Sequence, residues 1–155
     1  MSDFFSYQGR AEPASEGAAP LSPPAIGAGL SGEDWEQLIR HAARRRFAAG
    51  AVIVKAGEAD RALHFIASGK VLLQGGTAPQ AVRGEGEVFG VLSFLDGAPS
   101  AVTVRVAADL PAEVLRLTPE ALQQLAAWQP RLGLELMRDL GAQVAARLRQ
   151  LQPAD

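Results

Sequence analysis

Apolar residues in the middle of this chain come in short runs with glycines between them. From Phe47 to Leu117 the runs are Ala51–Lys55, Leu63–Ala67, Lys70–Gln74, Gln80–Arg83, Ala101–Ala107 and Glu113–Leu117, broken by glycines at 50, 57, 69, 75, 76, 84, 86, 90 and 97. Frequent short runs rich in Val, Ile, Leu and Phe with glycine turns predict an all-β sandwich or barrel. Val102, Val104 and Val106 alternate with Thr103 and Arg105, as a half-buried strand requires.

On either side the period changes to that of a helix. Ser31 is a good N-cap with Glu33 and Asp34 in the first turn, and Trp35, Leu38, Ile39 and Ala42 recur at helical spacing. The spacing predicts a helix over 32–44, within a segment 31–46. The basic run Arg44-Arg45-Arg46, next to Arg40, then reads as the solvated end of that helix, where cations complement the dipole. Thr118 and Pro119 open another helix with Leu122, Leu125, Ala126 and Trp128 on its apolar side. Trp35 and Trp128 are both expected in the core. Pro130 starts a last helix running to about Leu151. The expected organisation is a helix at 31–46, strands over 47–117 and two helices over 118–151.

In the last helix Met137, Gly141, Val144, Leu148 and Leu151 follow the spacing of a coiled-coil seam, widened by Leu134 and Leu140. Two readings stay open: the stripe packs back onto the strands, or it forms a homodimer interface, which we favour. Residues 1–30 are rich in Ala, Pro, Gly and Ser, a composition that predicts a disordered tail. Phe4, Phe5 and Tyr7 are aromatics that an idle tail seldom keeps. They either pack on this domain or a second copy of it, or dock on another protein.

Composition removes several function classes. Without cysteine there is no disulfide framework and no thiolate metal site, and the two histidines, His41 and His64, lie too far apart to suggest zinc; no metal is expected. A net charge of −2 argues against general nucleic-acid binding, which needs a concentrated basic face. No apolar stretch is long enough to span a bilayer, and the N-terminus lacks the plan of a secretory signal, so the expected location is the cytoplasm. His64 falls between Leu63 and Phe65, facing away from both, and is expected to be a surface or strand-packing residue. No acid, nucleophile or ligand is spaced to work with it, so no enzyme is expected. Gly84-Glu85-Gly86 lacks the Gly-Lys-Ser/Thr that a phosphate loop needs.

Several stretches together carry a resemblance. These are Phe47-Ala48-Ala49-Gly50 with Ile53, Gly57-Glu58, Leu63 through Val71, and Gly84-Glu85-Gly86-Glu87-Val88-Phe89-Gly90 followed by Leu92, Leu95, Gly97, Pro99 and Thr103-Val104. Over 31–151 the chain resembles the cyclic-nucleotide-binding domains of catabolite activator proteins, kinases and channels. The resemblance implies a mainly β fold, a jelly-roll-like β-roll (double-stranded β-helix) with one helix before it and two after. It makes Phe89, Gly90, Val91, Leu92, Ser93, Pro99, Ser100, Ala101 and Thr103 the phosphate-binding cassette, whose backbone N–H groups would face the cyclic phosphate.

This sequence departs from the family pattern where charge is needed. Val91 stands in place of the glutamate that accepts from the ribose hydroxyl. Ser100 replaces the arginine that neutralises the phosphate, and Ala101 the hydroxyl residue after it. Removing one partner of a buried charge pair costs about 3–5 kcal/mol, and an unpaired buried hydroxyl adds about 1–3 kcal/mol. cAMP and cGMP are therefore not expected to bind in the usual way, and no cofactor is expected. Arg61, Arg83 and Arg105 are the candidates for a replacement cation.

The activators of this family continue into a helix-turn-helix; here the chain stops at Asp155, so no DNA-binding domain is expected. The leading expectation is a stand-alone regulatory or protein-interaction subunit that dimerises through its last helix and acts on a separate partner protein. The alternative is a small-molecule sensor whose effector sits in the Phe89–Ala101 pocket and shifts a hinge near Trp128-Gln129-Pro130.

Overall fold

A computed structural model gives the structure of residues 26–75 and 80–151. Phe4, Phe5 and Tyr7 lie outside the described residues. Ile26, within the stretch expected as tail, is buried among the helices.

Helix α1 spans Gly32–His41. Ser31 Oγ accepts from the Asp34 N–H and the Asp34 carboxylate accepts from the Ser31 N–H, each at 3.1 Å, a reciprocal cap. The helix ends earlier than the spacing predicts, because Ala42 is extended and Ala43–Phe47 forms strand β1. Arg44, Arg45 and Arg46 are thus not a helix end. They lie on an edge strand paired antiparallel with β8 (Ala112–Leu117), with Arg45 opposite Val114. Strand pairing satisfies the backbone that a longer helix would have satisfied locally, and charged side chains on an edge discourage further pairing.

Between these lie β2 (Val52–Val54), β3 (Leu63–Ser68), β4 (Val71–Gln74), β5 (Ala81–Arg83), β6 (Val88–Phe89), the short helix α2 (Val91–Asp96) and β7 (Thr103–Val106). They build two antiparallel four-stranded sheets, ordered β1-β8-β3-β6 and β2-β7-β4-β5. Val54, Val71 and Val104 from one sheet meet Ile66, Phe89 and Val114 from the other in the core between the sheets. The far face of the first sheet, carrying Leu63, Phe65, Leu115 and Leu117, is covered by the helices. β3 is therefore buried on both faces, and His64, on the inner face, is only 3% exposed; it is not a surface residue.

Thr118 Oγ1 accepts from the Ala121 N–H and Pro119 takes the first position of α3 (Pro119–Trp128), as the sequence implies. Leu122 and Leu125 reach the core. Trp128 does not: it is the last residue of α3, at the Gln129-Pro130 break, and is 81% exposed. The last helix, α4, spans Pro130–Leu151. Gly133 lets it approach α3 so closely that a Cβ there would lie 2.6 Å from that of Ala126. Leu132, Leu136 and Leu140 are fully buried and Val144 packs against them, so that part of the stripe serves the core. Leu134, Met137, Leu148 and Leu151 stay exposed and Gly141 faces open space. Two polar ties bind α4 to the front of the domain. Arg131 Nη2 donates to Asp34 Oδ1 at 2.7 Å, and the Gly27 N–H donates to Asp139 Oδ2 at 2.7 Å.

Candidate functional site

The cassette is built where β6 ends. Phe89 is pinned in the core, and Gly90 then turns the chain with φ +85° into α2. A side chain at Gly90 would be strained in that conformation, and its Cβ would lie 2.7 Å from the Ala62 carbonyl oxygen. Gly97, with φ +75°, closes the helix by donating to the Ser93 carbonyl at 2.8 Å. The glycine spacing of the sequence thus corresponds to a real strand–turn–helix–turn.

Neither Val91 nor Ser100, the positions where the pattern calls for charge, carries one; Asp96, the last residue of α2, is acidic, and its Oδ1 accepts from the Ala98 N–H at 2.8 Å. Val91 is 3% exposed and belongs to the helical core, with Ser93 buried beside it. Leu92, Pro99 and Ala101 face solvent. Ser100 Oγ donates to the Val102 carbonyl at 2.7 Å and accepts from the Val102 N–H at 3.3 Å, so its hydroxyl serves its own backbone. Thr103 Oγ1 accepts from the Ala56 N–H at 2.9 Å.

The three candidate cations are each bonded to backbone carbonyls. Arg61 does reach the cassette, but at its carbonyl end: Nε donates to Phe94 O and Nη2 to Leu95 O, both at 3.0 Å, with the guanidinium against Gly97. It fastens α2 in place instead of facing the amides at the helix start. Arg105 Nη1 donates to the Gly50 carbonyl at 3.2 Å. Arg83 Nη1 lies 3.5 Å from the carbonyl of its neighbour Val82.

Beneath the cassette lies a polar network the sequence did not announce. His64 stacks on Phe89 with ring centroids 4.5 Å apart and planes 4° from parallel. His64 Nε2 and Asp60 Oδ2 are 2.9 Å apart, and Arg116 Nη2 donates to Asp60 Oδ1 at 2.7 Å. The bond with His64, joined by Arg116, outweighs burial and holds the Asp60 carboxyl down at about 2. Asp60 and His64 are four apart across a loop–strand junction and Arg116 is on β8, so no periodic signal unites them. No hydroxyl is bonded to His64 among the described residues, and its Nδ1 is buried without a partner. The network braces the base of the cassette and lacks a nucleophile. Nor do three His, Asp or Glu side chains gather among the described residues as a metal would require.

Comparison with known proteins agrees with this architecture. The catabolite activator protein of Thermus thermophilus matches with a TM-score of 0.70 and 29% identity, over 82% of this chain and 59% of that one. A cyclic nucleotide-binding domain from Methylobacillus flagellatus matches with a TM-score of 0.68 and 25% identity, over 78% of this chain and 70% of that one. Glutaminase 2 of Bradyrhizobium diazoefficiens is 29% identical over 129 residues, which are 83% of this chain but 20% of that protein. The chain thus spans a small part of that relative and 59% of the Thermus protein. Among the described residues no helix is long and apolar enough to cross a membrane. The family model for the cyclic nucleotide-binding domain matches residues 44–127, from β1 through α3, and the chain belongs to that family.

Proposed function

We propose that this chain is a non-enzymatic regulatory or protein-interaction subunit. It keeps the fold of its family but does not hold cAMP or cGMP in the usual way, and it acts through a separate partner protein. One observation carries the reading: the position of the phosphate-neutralising arginine is taken by Ser100, whose hydroxyl is spent on Val102, while Arg61 is committed to the carbonyls of Phe94 and Leu95. A cyclic phosphate, a monoanion, would lose water there and gain no cation, a deficit of about 3–5 kcal/mol against a complete clamp. The likeness to a segment of a glutaminase, a protein several times longer, supports a module that works alongside a catalytic polypeptide. The exposed row Leu134, Met137, Leu148 and Leu151 supports pairing of two copies along α4.

The test is a thermal-shift titration with cAMP and cGMP, since a ligand specific for the native state raises stability by about 2.7 kcal/mol at a hundred times its dissociation constant. No shift is expected up to concentrations on the order of millimolar. A clear shift in the unmodified protein would overturn the reading. Restoring charge with Ser100→Arg should bring binding back, which separates a missing cation from a collapsed site.

A further inference from the structure

Each sheet leaves its two outermost strands unpaired on one side, and these edges are guarded differently. β6 has two residues, and β2 and β5 have three each, too short to template much further pairing. β1 has five, an ordinary strand length, and among the described residues it is hydrogen-bonded to no strand but β8. Alternate N–H and C=O groups of Ala43–Phe47 therefore point away from β8 with no strand opposite them among the described residues.

What guards β1 is charge of a single sign. Arg44, Arg45 and Arg46 are all exposed. The register sets Arg44 opposite Leu115 and Arg46 opposite Glu113, on the sheet face that the helices cover. Arg45 lies opposite Val114, on the face that Phe47 uses to pack between the sheets. Glu113 Oε1 pairs with Arg44 Nη1 at 3.2 Å, which still leaves the Arg44 side chain 53% exposed. Arg45 and Arg46 have no ion pair among the described residues. Like charges directly opposite destabilise a strand pair and opposite charges stabilise it. This edge thus turns away copies of itself and admits a strand of the opposite sign.

We propose that β1 is a docking edge for an extended acidic segment of a partner protein, which adds to the first sheet as a further strand. Main-chain bonds to the outer groups of residues 43–47 fix the segment's register. Acidic side chains at consecutive positions then meet Arg44 and Arg46 on one face and Arg45 on the other. Nucleic acid offers phosphates but no strand backbone, and the chain's net charge of −2 disfavours it. The proposal gives the partner a chemistry, so it rests on the protein-interaction reading above.

The experiment follows a labelled, capped peptide by fluorescence polarisation as the full chain is titrated in. The peptide carries three consecutive glutamates flanked by valine and threonine. One control has lysines for the glutamates, and a second has prolines for the flanking residues, keeping the charge but removing strand N–H donors. A third is a single-stranded oligonucleotide. The glutamate peptide should bind at least about tenfold more tightly than each control, and amide exchange at residues 43–47 should slow when it binds. Arg45→Gln with Arg46→Gln should weaken it by about fivefold or more. Both side chains are exposed and free of ion pairs among the described residues, so this variant should melt as the parent does. No binding, equal binding of the proline peptide or the oligonucleotide, unchanged exchange at 43–47, or affinity that survives the double substitution would each overturn the docking edge. Such a failure in a protein that ignores cAMP removes the edge alone, whereas a cAMP shift counts against the proposed function however the peptide behaves.

Discussion

Replacing Asp60 with asparagine should cost stability at neutral pH and remove much of the protein's acid sensitivity. The carboxyl is held at about 2 in the folded state against an ordinary value of 3.8, chiefly by His64 and then by Arg116. Its side chain is only 18% exposed, so water screens the pair little. At about 1.4 kcal/mol per unit, the difference is worth about 2 kcal/mol when the group is ionised. The sign follows from the direction: a lowered carboxyl stabilises the fold above about pH 4 and loses that contribution as pH falls towards about 2. Asparagine keeps the shape and one hydrogen bond but not the charge. Urea denaturation from pH 7 to pH 3 should therefore show a gap of about 2 kcal/mol at neutral pH that narrows on acidification, or a melting point lower by roughly 5–10 °C at pH 7. Parallel profiles for the two proteins, at any offset, would refute the linkage.

Other features give sharper local tests. Gly133→Ala should lower stability by about 1–2 kcal/mol despite alanine's better helix propensity, since its methyl would meet Ala126 at 2.6 Å; a more stable variant in urea denaturation would show that α3 and α4 can part freely. Arg61→Met should cost about 1–2 kcal/mol and speed hydrogen exchange at residues 91–97, because the Phe94 and Leu95 carbonyls lose their donors; unchanged exchange would mean that α2 holds itself. Met137→Glu with Leu148→Glu should turn a dimer into a monomer by light scattering, and a parent that is already monomeric would end the pairing proposal.

The fold was legible where one pattern had one cause. Glycines at 57, 69, 86, 90 and 97 take positive φ, so their spacing recorded the turns directly. Ser31 and Thr118 cap helices through bonds made within a few residues. Reading failed where a distant partner decided. The arginines at 44–46 continued a helical pattern, but β8 recruited them into a strand. His64 looked peripheral on alternation because nothing nearby in sequence says that β3 is covered on both sides. Trp128 fell within an apolar periodicity that stops being packed at the Gln129-Pro130 break. At the cassette the absence of charge at Val91 and Ser100 was plain, but the posture of Arg61 was not, since it depends on carbonyls more than thirty residues away.

The fastening of Gly27 has a mechanical consequence. Glycine at 27 is forced by Trp35, whose ring would collide with any Cβ there, and its N–H is tied to Asp139 midway along α4. With Arg131 gripping Asp34 nearby, the leading end of the domain is bolted to that helix by hydrogen bonds, while Trp35 packs edge-on against Phe65 of the first sheet. A swing of α4 would therefore pull directly on Gly27 and on the start of α1, so a contact made along α4 would be felt at the leading end of the domain.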